Sequence, residues 1–372
     1  MTLNRQGDIM DENEITLRIK KIFSYAKNTD IILLMNTGTA DPNFLYVTGL
    51  KSGLFEYSYL ILEKNKATLF TSSLEYETAV ESLPKAVEVV LMDMKGEFRS
   101  KVSSILKDKI IGINEFFLPV GLYNLLKKRY SIKETTDVSQ ALEKARLIKD
   151  EVEISYIKKA VSITKWAMLM IQKEFKLDIT EAELAAKFDN LSATLGSSAP
   201  SFQTIVCFGK NAALPHHFPD NTKLKKGDMI LIDAGAKVNN YCSDMTRTFI
   251  FDAKNNSEDY KAKERMIKIV KEAQVKAIRA IKVGAKGSTI HNIAADYINT
   301  ADDGYYKDKF THALGHSIGI EVHDGPGFSP GLTQLLKSNM IITVEPGIYI
   351  PGFGGARIED DIIITKNGAE VL

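Results

Sequence analysis

Two stretches in the C-terminal part of the chain, DMILIDAGAKVNNYCSDMTRTFIF and MIITVEPGIYIPGFGGARIEDDIIIT, each read as two strands folded back on one another. Each carries two carboxylates in otherwise apolar, glycine-punctuated sequence: Asp233 and Asp244 in the first, Glu345 and Glu359 in the second. In a hairpin, residues two apart share a face, and the turn decides which residues stand opposite. Asn239-Asn240 tolerates the positive φ of a tight two-residue turn, which sets Asp233 against Thr246 and Gly235 against Asp244. Asp233 and Asp244 then emerge on one face as diagonal neighbours. In the second hairpin an odd turn, Pro351 to Phe353 followed by a left-handed Gly354, puts Glu345 directly opposite Glu359. An even turn would put them on opposite faces unless a bulge intervened. Arg357 shares parity with Glu359, so it projects to the same side, where it suits either ligand carboxylates or a substrate terminus.

Two carboxylates this close repel one another unless a cation lies between them. Solvated strand aspartates are the bland alternative. The apolar flanks, Ile230 to Ile232 and Phe249 to Phe251, argue instead for burial, where a bare carboxylate pair is costly. With His316 the set becomes four carboxylates and one imidazole, whose four negative charges two divalent cations would cancel. That is the donor inventory of a binuclear centre and points to metal-assisted hydrolysis.

Three of the six histidines fall within THALGHSIGIEVHDGPG: His312, His316 and His323. The i, i+4 pair resembles a zinc-binding H-E-x-x-H helix, but Ala313 stands where the glutamate belongs, and Gly315 and Gly319 weaken a helix. A glycine-punctuated extended segment lining a cleft is the better reading. His216 and His217 sit in a loop, NAALPHHFPDN, able to bring another imidazole to that cleft. His291 lies inside a helical stretch and receives no role.

The rest of the chain frames this centre. The first 145 residues alternate strand-like pieces (IILLMN, SYLILEK, KATLFTS, VEVVLMDM) with helical ones, including Leu122 to Arg129. They hold no histidine and read as a scaffold or oligomerisation domain. From Asp150, Ile154, Ile157, Val161, Met168 and Ile171 recur at helical spacing. Thr180 and Glu183 form a capping box for a second helix ending before Gly196, and further helices are expected over Ser257–Ile281 and Ser288–Ile298. A net charge of +1 gives no general pull toward nucleic acid or an anionic membrane. The charged N-terminus suits no signal peptide, and no apolar run approaches the length that crosses a bilayer. Cys207 and Cys242 match no metal or redox spacing and read as buried thiols, so a reduced, cytoplasmic protein is expected.

At this point LKKGDMILIDAGA, YCSDMTRTF, HALGHSIGIEVHD, TVEPGIYIP and GGARIEDD resemble the motifs of the metallopeptidases that include aminopeptidase P, prolidase and methionine aminopeptidase. The resemblance implies an α+β chain of two domains: a creatinase-like α/β domain over 1–145 and a pita-bread catalytic domain over 146–372. It implies Asp233, Asp244, His316, Glu345 and Glu359 as metal ligands, with Asp244 and Glu359 bridging. His312 matches a histidine that contacts the scissile peptide, and His323 and His216 match substrate-pocket histidines. Tyr241, Thr246 and Arg357 match positions that orient the ligands. Two small departures, Ala313 in place of a glycine and Asp324 in place of a glutamate, leave the ligand set intact.

The activity so implied is hydrolysis of an Xaa-Pro bond, at the N-terminus of a peptide or in a dipeptide, by a dimetal-bound hydroxide. Glu345 would carry the proton to the leaving nitrogen, and His312 would donate to the tetrahedral charge. His323, His216 and Arg357 would line the prolyl side. Oxygen-rich ligation favours two Mn²⁺ ions, with Co²⁺, Fe²⁺ or Zn²⁺ as substitutes. A homodimer follows from the resemblance alone. The rivals are a metal-dependent amidohydrolase acting on a non-peptide substrate, and a catalytically silent binding protein on the same fold. Creatinase itself lacks this ligand set. The choice between dipeptidase and aminopeptidase stays open.

Overall fold

The computed structural model describes residues 10–93, 95–252 and 257–372. The chain divides between Arg146 and Leu147 into two compact units. The first is built on a six-stranded mixed sheet. Its strands run, edge to edge, Val87–Leu91, Lys66–Thr71, Tyr59–Glu63, Ile31–Met35, Ile110–Ile113 and Glu134–Asp137. Ile31–Met35 is apolar and buried at every position, as a strand covered on both faces must be. It pairs antiparallel with Tyr59–Glu63 and parallel with Ile110–Ile113. The four strand-like stretches of the sequence are four of the six strands. Glu134–Asp137, sequence ETTD, has no apolar pattern and owes its strand form to parallel pairing with Ile110–Ile113.

The second unit opens with the helix Glu151–Met170, held at its start by a reciprocal capping box between Asp150 and Glu153. Ile154, Ile157, Val161 and Met168 are buried along one face, as their spacing demands. Thr180 and Glu183 cap the helix Glu181–Thr194 in the same way. The helices Glu258–Ala280 and Gly287–Thr300 pack together, and Val270, Ala273, Ala294 and Ile298 meet Ile342, Val344, Ile348 and Ile362 in one buried cluster. That cluster backs the second hairpin. Cys207 and Cys242 are free and buried. Among the described residues no helix is long and apolar enough to cross a membrane.

Both hairpins keep the expected register, but neither is a continuous ladder. In the first, Met229–Ala234 pairs with Met245–Ile250, with Asp233 opposite Thr246. Ala236–Val238 then pairs with Tyr241–Cys242 around Asn239 (φ 48°) and Asn240 (φ 71°). In the second, Ile341–Val344 pairs with Asp360–Thr365, and Gly347–Ile350 pairs with Gly354–Arg357 in the same register. The turn is the three-residue one, Pro351 to Phe353. Its compact left-handed residue is Gly352 (φ 80°), while Gly354 is more open (φ 145°), which corrects the expected position. Phe353 N donates to Ile350 O, with Pro351 and Gly352 in the central places that a type II turn prefers.

His312 to His323 is non-helical, as the glycines required. Gly315 lies so close to the neighbouring strand that a Cβ there would sit 1.9 Å from Thr343 O. A buried ion pair, Lys149 Nζ to Asp324 Oδ2 at 3.1 Å, fixes the far end of this segment. Removing one partner strands a buried charge. Lys149→Met should lower the unfolding free energy by about 3–5 kcal/mol, and Lys149→Met with Asp324→Leu should recover most of it. Chemical denaturation of the three proteins checks this; a double variant no better than the single would remove the pairing as the cause.

Candidate metal centre

The ladder breaks fall at the carboxylates. Asp244 N turns away from its own hairpin and donates to Asp361 Oδ2 (3.0 Å), and Glu359 N crosses to Thr246 O (3.1 Å). Glu345 N donates to Leu314 O (2.8 Å), beside the histidine segment. Asp244, Glu345 and Glu359 thus each give up a rung of their own hairpin and form a bond to another segment. The two hairpins and the histidine segment are thereby sewn around one point. Pro346, without an N–H, suits the gap after Glu345.

The side chains meet there. One donor atom each from Asp244, His316 and Glu359 lies within 4.8 Å of the others. His316 Nε2 stands 3.6 Å from Asp244 Oδ2 and 3.6 Å from Glu345 Oε1, too far for hydrogen bonds. Its Nδ1 faces Ser317 O at 3.3 Å. A carbonyl only accepts, so that contact puts the proton on Nδ1 and leaves the Nε2 lone pair toward the carboxylates. Burial, with His323 beside it, pulls the His316 pKa down to about 4, so the ring is neutral at pH 7. A neutral imidazole aimed this way is a metal ligand's tautomer.

The carboxylates leave matching gaps. Among the described residues, Asp233 Oδ1, Asp244 Oδ1 and Glu359 Oε1 are buried without a hydrogen-bond partner. Buried orphan oxygens are rare and demand a cause. Burial and then the charge of Glu359 drive the Asp244 pKa well up; burial and then Glu345 do the same to Glu359. Burial also lifts Glu345 to about 7. Divalent cations remove both the repulsion and the orphaned lone pairs, so this donor set fits two of them.

The neighbouring bonds fix how the ligands stand. Thr246 Oγ1 donates to Glu359 Oε2 (2.7 Å) and accepts from Arg357 Nε (3.0 Å). Arg357 is buried; its Nη2 donates to Asp233 Oδ2 (2.5 Å) and its Nη1 to the Tyr349 hydroxyl (2.8 Å). Of the two roles expected for Arg357, the structure therefore favours holding a ligand carboxylate over binding a substrate terminus. Tyr241 differs from expectation too. Its hydroxyl donates to Glu153 Oε1 (3.2 Å), so it serves the cap of the Glu151–Met170 helix.

His312 is also corrected. Its Nδ1 lies 2.7 Å from Ala313 O and its Nε2 2.8 Å from the Tyr349 hydroxyl. Burial, reinforced by Arg357, lowers its pKa to about 4. The neutral ring carries its proton on Nδ1, so Nε2 accepts from Tyr349 and has none to give. In this arrangement His312 is not the donor to a tetrahedral oxygen that the sequence suggested. His216 and His323 line the cavity with His312, while His217 turns away to Glu181.

The cavity has a volume of about 470 Å³ and is lined by all five ligand candidates and Arg357. Phe202, Ile205, Pro215 and Val322 supply an apolar wall. Three contributors were missed in the sequence: Thr343, which donates to Glu345 Oε1 (3.4 Å), Tyr349, and Asp361. The signal was available. Thr343 and Tyr349 share parity with Glu345, and Asp361 with Glu359, so the same-face rule places all three beside ligands.

Comparison with known proteins agrees with this geometry. Residues 155–366 match the model of metallopeptidase family M24, and residues 18–148 match the Creatinase/Prolidase N-terminal domain. The chain is 37% identical to an Xaa-Pro dipeptidase of Pyrococcus horikoshii over 98% of its length and 97% of that protein. Among solved structures it resembles an Xaa-Pro dipeptidase from Bacillus anthracis, with a TM-score of 0.85, 32% identity and 97% of each chain covered. It also resembles an X-Pro aminopeptidase from Thermotoga maritima, with a TM-score of 0.83, 31% identity, and 92% of this chain and 95% of that one covered.

The raised carboxylate pKa values have a sign that can be measured. Without metal, the folded chain holds protons on Asp244, Glu345 and Glu359 that the unfolded chain releases above its ordinary carboxylate range. Stability is therefore greatest below that range and is lost as pH rises toward about 7, where Glu345 titrates. Metal competes with those protons, so its stabilising effect should grow over the same interval. Chelated protein should show a Tm that falls between about pH 5 and 8, and Mn²⁺ should reverse the fall with release of protons. Glu359→Ala should lose metal; full occupancy by elemental analysis would contradict its place as a ligand.

Proposed function

The chain belongs to metallopeptidase family M24, and on that premise we propose that it is a metal-dependent exopeptidase that cleaves the bond preceding proline in Xaa-Pro substrates. Its C-terminal unit has the pita-bread fold of that family, and its N-terminal unit is a creatinase-type domain. One observation carries the reading: four carboxylates, three of them with a buried orphaned oxygen among the described residues, and a neutral imidazole converge on one cavity.

Asp233, Asp244, His316, Glu345 and Glu359 would hold two divalent cations, and the oxygen-rich set favours Mn²⁺. The chemistry such ions supply when bound is a water acidified toward neutral pH and a polarised substrate carbonyl. Glu345 is the most exposed of the four carboxylates; its side chain is 16% exposed against 11% for Asp233 and 6% for Asp244. Its Oε2 is the atom suited to carrying a proton between the attacking water and the leaving nitrogen. Proline offers no N–H at the scissile bond, so nothing there needs an acceptor. The wall of Phe202, Ile205, Pro215 and Val322 suits its ring. His216 and His323 make no hydrogen bond within the protein among the described residues, which leaves their ring nitrogens for substrate. His312 serves by fixing the Tyr349 hydroxyl, which also carries the hydrogen bond from Arg357.

Two further features stand as proposals. The buried free thiols of Cys207 and Cys242 suit a reducing cytoplasm. A homodimer is implied by family membership and is checked by sedimentation.

With added Mn²⁺, an Xaa-Pro dipeptide should be hydrolysed and its Xaa-Ala counterpart spared, and a chelator should abolish turnover. Comparison with a longer Xaa-Pro peptide separates dipeptidase from aminopeptidase; cleavage of neither would favour a non-peptide amide substrate. Glu345→Gln should lower kcat by about 10²–10⁴-fold. His312→Ala should retain metal yet turn over more slowly, and unchanged turnover would remove it from the mechanism.

A further inference from the structure

Glu181 is a buried carboxylate outside the metal centre, in the first turn of the helix Glu181–Thr194. Both of its oxygens are saturated. Oε1 accepts from Phe208 N (2.7 Å) and Asn211 Nδ2 (3.0 Å); Oε2 accepts from His217 Nε2 (2.7 Å) and Asp220 N (3.2 Å). The helix start binds the same segment in the other direction, with Glu181 N donating to Thr222 O and Ala182 N to Asp220 O, both at 3.1 Å. Glu181, His217 and Asp220 have the composition of a metal site. Four donors fill the four lone pairs of the Glu181 carboxylate, so it has none left for a cation. The cluster works as a clasp.

What it clasps is a wall of the substrate cavity. Leu214 and Phe218 are 55% and 67% exposed, so the loop has no apolar anchor at either residue. Between them, Pro215 and His216 line the cavity, while His217 turns inward to Glu181. Fixing His217 fixes the backbone of its neighbour and therefore where the His216 imidazole stands. Binding groups displaced by about 1 Å lose much of their effect.

We infer that Glu181 and His217 form a latch that positions His216 and Pro215 on the cavity wall and so sets affinity for the substrate. Both are positioning residues, remote from the bond that breaks. The inference rests on the Xaa-Pro reading for its substrate but not for the latch itself.

The test uses the full chain loaded with Mn²⁺ and an Xaa-Pro dipeptide. His217→Ala should raise KM about tenfold with kcat within about twofold, the pattern of lost binding not specific to the transition state. His217→Gln, whose amide N–H can donate to the same oxygen, should recover part of that loss. His216→Ala should raise KM similarly, and the two alanine changes should not add, because one acts through the other. An unchanged KM in His217→Ala, or fully additive effects, would overturn the positioning role. Amide hydrogen exchange tests the latch without turnover: His217→Ala should speed exchange across residues 211–221 and leave Met229–Ala234 protected. Unchanged loop exchange would overturn the latch. A native protein that cleaves no Xaa-Pro substrate, yet shows this exchange response, would sink the proposed substrate and keep the latch.

Discussion

Four largely buried carboxylates share one cavity, and the architecture of the second unit answers the repulsion that follows. In a medium of low polarity like charges this close cannot all stay ionised. The protein meets part of the cost by tying single oxygens: Asp233 to Arg357, Glu359 to Thr246, Glu345 to Thr343. Asp244 accepts no hydrogen bond on either oxygen among the described residues, and one of those oxygens is fully buried. It is the carboxylate most dependent on cations for its charge. Donor atoms of Asp244, Glu359 and His316 lie within 4.8 Å of one another, which a purely structural cluster would have no reason to arrange.

Holding that arrangement requires backbone as well as side chains. A continuous ladder would use every N–H along the ligand strands within its own hairpin. Here the rungs at Asp244, Glu345 and Glu359 are redirected to Asp361, Leu314 and Thr246. No donor is lost, so the breaks cost little, and the redirected bonds lock three separate segments to one another. Arg247 strengthens the seam: its Nη1 donates to Thr246 O and Glu359 O, and its Nη2 to Asp360 Oδ1. The site's rigidity thus comes from the same residues that interrupt the sheet.

This explains what could be read from the sequence and what could not. Strand parity is local, so the Asn239-Asn240 turn and the odd Pro351 to Phe353 turn fixed which carboxylates oppose. Capping boxes are local too, and the Thr180–Glu183 box legible in the sequence caps the helix Glu181–Thr194. The choice between two adjacent imidazoles is not local: which of His216 and His217 faces the cavity depends on Glu181, some 35 residues away in sequence. The fate of Arg357 was similarly hidden, because its partners Thr246 and Asp233 lie on the other hairpin. The His312 tautomer depended on Tyr349, which parity could have found and composition could not.

The commitment of Arg357 to Asp233 changes the charge balance of the cavity. Counted alone, four carboxylates match two divalent cations. With one carboxylate already paired to a guanidinium, and with His312 and His316 held neutral by burial, the same two cations leave one positive charge in excess. In a buried cavity that excess is expensive unless an anion enters. The hydroxide that two such cations would supply is that anion, and with it the four carboxylates, Arg357 and the cations balance. The same buried guanidinium that steadies a ligand therefore also balances the negative charge that an acidified water would bring to the site.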